Sequence, residues 1–171
     1  MTDAKSLDAA IAEALKSERD GVAFYQRANH VAADPRVKQI LARLARHREE
    51  DLRALEDAVA KAGLRPPAGG GHTPYPFEAV AKLVCYACGY VTEELPASCP
   101  SCGAARYAFE KEISKAMAWE TAVAAGKAGV AALDAAGRHA TGGLRAALDA
   151  LLARERALLK EAEAELASAK A

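Results

Sequence analysis

The sequence predicts a mainly α-helical protein, with four long helices in one bundle and a small cysteine-bearing β module inserted between the second and third. Three observations lead there. Alanine makes up about a quarter of the 171 residues and aromatics only 5%, a composition suited to closely packed helices rather than sheets. Apolar residues recur at helical spacing in two blocks, roughly 6–63 and 110–171. All four cysteines fall between those blocks, as Cys85-x2-Cys88-x10-Cys99-x2-Cys102.

The first block, 1–63, reads as a helical hairpin. Ser6 is placed to cap a helix carrying Leu7, Ile11, Leu15, Val22 and Tyr25 on one stripe. Asp34 then caps a second helix with Pro35 at its first position. That helix carries Val37, Ile40, Leu41, Leu44, Leu52, Leu55 and Val59 and stops near Gly63. A short connection makes the two helices antiparallel neighbours.

Residues 64–80 contain Pro66, Pro67, Gly69, Gly70, Gly71, Pro74 and Pro76, which break any helix and mark a linker. The module is expected over 81–109. Strands near 82–84 and 90–92 flank the first cysteine pair, and Tyr86, Tyr90, Tyr107 and Phe109 are expected to form a minute core. So little apolar surface does not fold without a metal. Each cysteine pair is a short turn followed by glycine, Gly89 or Gly103. Two such turns bring four thiolates to the corners of a tetrahedron, which suits zinc and iron alike.

The second hairpin, 110–171, begins by Phe109 and carries Ile113, Met117, Val123, Val130 and Leu133. Gly126 and Gly129 lie inside this third helix and point to a close packing contact or a local break. A turn is expected over 137–143, and the last helix carries Leu144, Leu148, Leu151, Leu152, Leu158, Leu159 and Leu166. Lys+Arg and Asp+Glu both number 23, so no basic surface argues for nucleic acid. The opening residues form no apolar signal segment, and no run of about 20 apolar residues offers a membrane span. A cytoplasmic protein with reduced thiols is expected.

Charges interrupt each apolar stripe near mid-helix. Glu18 falls on the first seam, Arg48 and Asp51 on or beside the second, Glu120 on the third and Glu155 on the fourth. Unpaired charges inside a bundle cost several kcal/mol each, on the order of the penalty for a broken buried ion pair. They must therefore meet a metal, one another or water. A carboxylate metal site takes a Glu from each of two helices and Glu-x-x-His from the other two. Glu18, Glu120 and Glu155 supply part of that set, but Leu158 stands three after Glu155. The second helix offers Arg48 and Asp51, or His47 and Glu50 off the seam. Three readings stay open: carboxylates neutralised by a resident Arg48, a degenerate metal site, or charges reaching the bundle surface.

The cysteine segment resembles the rubredoxin-like module of the rubrerythrin family. The likeness covers both cysteine turns, Gly89-Tyr90-Val91 after the first, Cys99-Pro100 opening the second, and the trailing Phe109-Glu110. Glu18-x6-Tyr25 and Asp34-Pro35-x-Val37 are similar to the first hairpin of these ferritin-like proteins. The resemblance implies a ferritin-like bundle, peroxide reduction or related oxygen chemistry at a di-iron site, and a cysteine-bound iron that relays electrons from a redox partner protein. Here both expected histidine ligands are absent, Arg48 replaces a glutamate, and the module lies between helices two and three rather than at the C-terminus. One metal, iron or zinc, is accordingly expected at the cysteines, without a working di-iron peroxidase centre. The alternative is a structural zinc-ribbon protein whose bundle serves interaction or assembly. Whether the bundle closes within one chain or by exchange in a homodimer is left open.

Overall fold

A computed structural model describes residues 2–65 and 81–170, with side chains from residue 6 onwards in the first helix. Most of the linker expected over 64–80 lies outside those residues. The element order is α1 (Thr2–Val31), α2 (Pro35–Lys61), β1 (Lys82–Cys85), β2 (Val91–Thr92), β3 (Phe109–Glu112), α3 (Lys115–His139) and α4 (Gly142–Lys170). No helix among the described residues is long and apolar enough to cross a membrane.

The helix starts follow local chemistry. The Asp34 carboxylate accepts the Arg36 amide at 2.8 Å, and Pro35 opens α2 without wasting a donor. Ser114 Oγ accepts the Met117 amide and opens α3. The sequence expectation had helix three starting by Phe109. Instead Phe109–Glu112 pairs antiparallel along the whole of β1, so the sheet runs three residues further and order β2-β1-β3 results. The expected turn over 137–143 also shrinks. Gly137 is buried inside α3, and Ala140 and Thr141 alone separate it from α4.

α1 packs on α2 and α3, while α4 packs on α3 and α2, so the bundle closes within one chain. One apolar cluster joins Phe24, Tyr25 and Ala28 of α1 to Val37 and Leu41 of α2, Met117 and Trp119 of α3, and Ala162 of α4. A second joins Ile11 and Leu15 to Leu55 and Val59, Leu133 and Ala136, and Leu144 and Leu148. The C-terminal half of α1 thus meets the N-terminal halves of α2 and α3. The helices therefore run up, down, down and up. In folded proteins most helical stability comes from packing an apolar face rather than from propensity, and burial of these faces supplies it here. Truncating a fully buried leucine such as Leu41 or Leu148 costs about 2–5 kcal/mol.

Between the two clusters lies a charged layer. Glu18, Arg48, Asp51 and Glu155 are the buried charged side chains among the described residues. The β module joins the bundle through Ala81, just before the central strand β1, and Ile113, just after the edge strand β3, both of which enter the first apolar cluster.

Candidate metal centre

The first cysteine turn connects β1 to β2, and the second leads towards β3. Their backbones repeat each other. Gly89 N–H donates to Cys85 O and Gly103 N–H to Cys99 O, both at 2.8 Å. Cys85 N–H donates to Tyr90 O at 2.9 Å, and Cys99 N–H to Ala104 O at 2.7 Å. Gly89 and Gly103 take φ of 79° and 76°, a left-handed conformation that costs a side-chain-bearing residue energy. These glycines let each chain turn back tightly enough to present two sulfurs inward.

The four Sγ atoms lie within 4.8 Å of one another, with Cys85–Cys102 at 3.8 Å and Cys88–Cys99 at 3.6 Å. A disulfide needs about 2.05 Å between sulfurs, and all four cysteines are free. Metal–sulfur bonds of about 2.3 Å in a regular tetrahedron place sulfurs about 3.8 Å apart. The group therefore fits one metal ion. Cys85 and Cys99 are buried, whereas Cys88 and Cys102 are exposed, so one edge of the tetrahedron faces outward.

Charge argues the same way. The Tyr90 amide favours the Cys88 thiolate, and with help from neighbouring groups lowers this thiol to about 7. The Ala104 amide does the same for Cys102, but the crowd of Cys88, Cys99 and Cys85, with burial, outweighs it and pushes Cys102 up to about 12. One thiolate opposes the next. A cation is what lets all four ionise together.

The module core differs from expectation. Phe109 is buried with Cys85 and Cys99, backed by Leu83, Ala104 and Ala108. Tyr86, Tyr90 and Tyr107 are exposed instead, Tyr107 at 88%. Tyr86 belongs to the first cysteine turn and Tyr107 to a short 3-10 turn, where side chains leave the sheet rather than alternate into it. The apolar core is thus smaller still.

In the bundle, Arg48 lies across the axis. Its Nη1 donates to Glu18 Oε1 at 2.9 Å and its Nη2 to Glu155 Oε1 at 2.5 Å. The planar guanidinium serves two helices at once, which a lysine ammonium does not reproduce. Burial alone would discourage its charge, but Glu18 and Glu155 overcome this and raise its pKa further. Burial pushes Glu18 up to about 7 against the pull of Arg48, and pushes the Tyr25 phenol up to about 12.

Glu120 is the correction. Its side chain is 49% exposed and pairs with Lys170 at 2.7 Å. The buried face of α3 is Met117, Ala118, Trp119, Ala122, Gly126, Gly129, Leu133 and Ala136, rotated away from Glu120. What α3 gives to the charged layer is space. A Cβ on Gly129 would lie 2.9 Å from Glu155 Oε1 and 3.1 Å from Arg48 Nη1. Gly21 of α1 likewise accommodates the Arg48 stem, with a Cβ there 3.2 Å from Cδ.

Asp51 takes a different partner from the one expected. Its Oδ1 lies 3.0 Å from Arg154 Nε, and its Oδ2 lies 3.1 Å from His47 Nε2. His47, off the seam by periodicity, reaches it through its side chain and also approaches Glu155 Oε2 at 3.6 Å. Asp51 first, then Glu155, raise the His47 imidazole to about 9. Compared with family models, curated proteins and solved structures, the chain matches none.

Proposed function

We propose that this chain is a rubrerythrin-like metal-binding protein whose four-cysteine module carries one iron for one-electron transfer. The observation that supports it best is the repeated turn with an amide favouring each outer thiolate, Tyr90 for Cys88 and Ala104 for Cys102. Amide donors to sulfur stabilise thiolate charge and tune the potential of cysteine-bound iron, which supplies the one-electron chemistry. Cys85 and Cys99 fix the buried side, and exposed Cys88 and Cys102 leave an edge open to a redox partner protein. Reduced thiols of this kind suit the cytoplasm. In the bundle, Arg48 supplies permanently the positive charge that a di-iron centre would bring, so peroxidase chemistry there is not part of this reading.

Protein purified from iron-rich growth, never exposed to chelator, should be red, contain one iron per chain and bleach with dithionite. Colourless protein holding one zinc after the same growth would refute electron transfer. That outcome belongs to a second reading, a structural zinc module displaying Tyr86, Tyr90 and Tyr107 to a protein partner. The small core of Cys85, Cys99 and Phe109 favours it, because so little apolar surface leaves folding to the metal.

A further inference from the structure

The charged layer has two unequal halves. On one side Arg48 bridges Glu18 and Glu155. On the other, His47 Nε2, a carboxylate oxygen of Asp51 and a carboxylate oxygen of Glu155 converge within 4.8 Å of one another. Asp51 and Glu155 are at most 1% exposed. Glu155 Oε1 accepts a hydrogen bond from Arg48, and Asp51 Oδ1 lies 3.0 Å from Arg154 Nε as an ion pair without an aligned hydrogen bond. Each carboxylate turns its other oxygen towards His47.

Both oxygens of Asp51, Glu155 Oε2 and His47 Nε2 are all buried and lack an aligned hydrogen bond. A proton on Nε2 does not resolve this. It points in one direction, and the 3.6 Å contact to Glu155 is beyond hydrogen-bonding distance. A cation between Asp51 Oδ2, Glu155 Oε2 and His47 Nε2 has no such directional limit. Bonds of about 2.0–2.2 Å put neighbouring donor atoms about 2.8–3.6 Å apart in octahedral or tetrahedral coordination. The observed 3.1 and 3.6 Å fall in that range.

We infer that His47, Asp51 and Glu155 form a mononuclear site for a divalent first-row transition ion, beside Arg48 and separate from the cysteine module. One nitrogen and two carboxylate oxygens suit manganese, ferrous iron or zinc. Arg48 hydrogen-bonds the outer oxygen of Glu155 and orients it, as partners behind metal ligands do, and Arg154 places a positive charge beside the outer oxygen of Asp51. Glu18 is not a ligand, because Arg48 takes it on the opposite arm. The His47 side chain is 19% exposed, which gives the ion a route in and leaves room for water as further ligands. The site is therefore one-ion, histidine-containing and built mainly on α2.

The test uses the full chain with its cysteines loaded with zinc and manganese(II) as the probe, a hard ion that prefers oxygen and nitrogen to thiolate. Loss of the free-ion electron paramagnetic resonance signal should show one manganese bound per chain, with nitrogen coupling from a histidine. His47→Ala should weaken binding by at least ~10-fold, the lower range seen even for groups behind metal ligands. Should circular dichroism show His47→Ala misfolded, His47→Gln is measured in its place. No bound manganese in the native chain overturns the site. So does binding that is unchanged in a folded His47 variant, which would place the ion elsewhere.

Discussion

The cysteine module and the charged layer of the bundle solve one electrostatic problem in opposite ways. Both gather acidic groups from separate chain segments into a small volume. In the module, four sulfurs converge with no cationic side chain among them, so a charge to balance four thiolates would have to come from an outside ion. In the bundle, Glu18 and Glu155 converge on Arg48, and the cation is part of the chain. The surroundings explain the choice. The module has too small an apolar core to fold first and bind later, whereas the bundle has two large apolar clusters that hold its layer in place. A resident arginine needs such a scaffold, because it forms the pair only at the cost of its own desolvation.

The largest test of that contrast is Arg48→Ala. It leaves Glu18 and Glu155 buried without compensation and should cost about 3–5 kcal/mol, read by urea denaturation of the helical signal. A loss below about 1 kcal/mol, as for an exposed pair, would erase the distinction between the two regions. Next comes the space that α3 provides. Gly129→Ala presses a Cβ against Glu155 and Arg48, and overpacking of a closed interior costs about 1–3 kcal/mol. Gly126→Ala meets chiefly the flexible end of Leu159 at 3.2 Å. It should be near neutral, because alanine regains up to about 1 kcal/mol of helix propensity.

Smaller effects sharpen the picture. The raised pKa of His47, about 9 against 6.5, gives a signed prediction for the metal-free layer. The stabilisation is complete below pH 6.5 and is lost as pH rises through 9. Linkage discounted for partial solvent access puts it at about 1–2 kcal/mol, and His47→Gln should remove that pH dependence from the denaturation midpoint. The smallest effect belongs to Glu120→Gln. Its exposed pair with Lys170 is worth less than about 1 kcal/mol, so a larger loss in a denaturation measurement would return Glu120 to the interior.

Much of this layer was legible in the sequence, for a physical reason. In α1, α2 and α4 most core-facing residues are large and apolar, such as Ile11, Leu15, Phe24, Leu41, Leu44, Leu55, Leu148 and Leu152, so Glu18, Arg48, Asp51 and Glu155 stand out as interruptions. In α3 the buried face is largely alanine and glycine. Those small residues carry little periodic signal, and reading the stripe from Ile113, which precedes the helix, placed Glu120 a step out of phase. The informative signal was Gly126 and Gly129 themselves, spaced on one face where a neighbour comes close. The cysteine turns were legible because spacing and glycine together dictate their geometry. The exposed tyrosines were not, because in so small a module turns rather than alternation decide where a side chain points. His47 was set aside by its angular position, but a histidine side chain is long enough to reach the seam from its edge.

The fork at Arg48 has one more consequence. The alanine- and glycine-rich face of α3 is smooth, and little in its apolar contacts distinguishes one axial alignment of α4 against it from the next. A slip of α4 by a single turn would carry Glu155 about 5.4 Å along the axis, beyond reach of both Arg48 and the gap left by Gly129. The buried charges would then face hydrocarbon. The layer thus works as a registration key, fixing the alignment of α4 against the smooth face of α3 and tying both to α1 and α2.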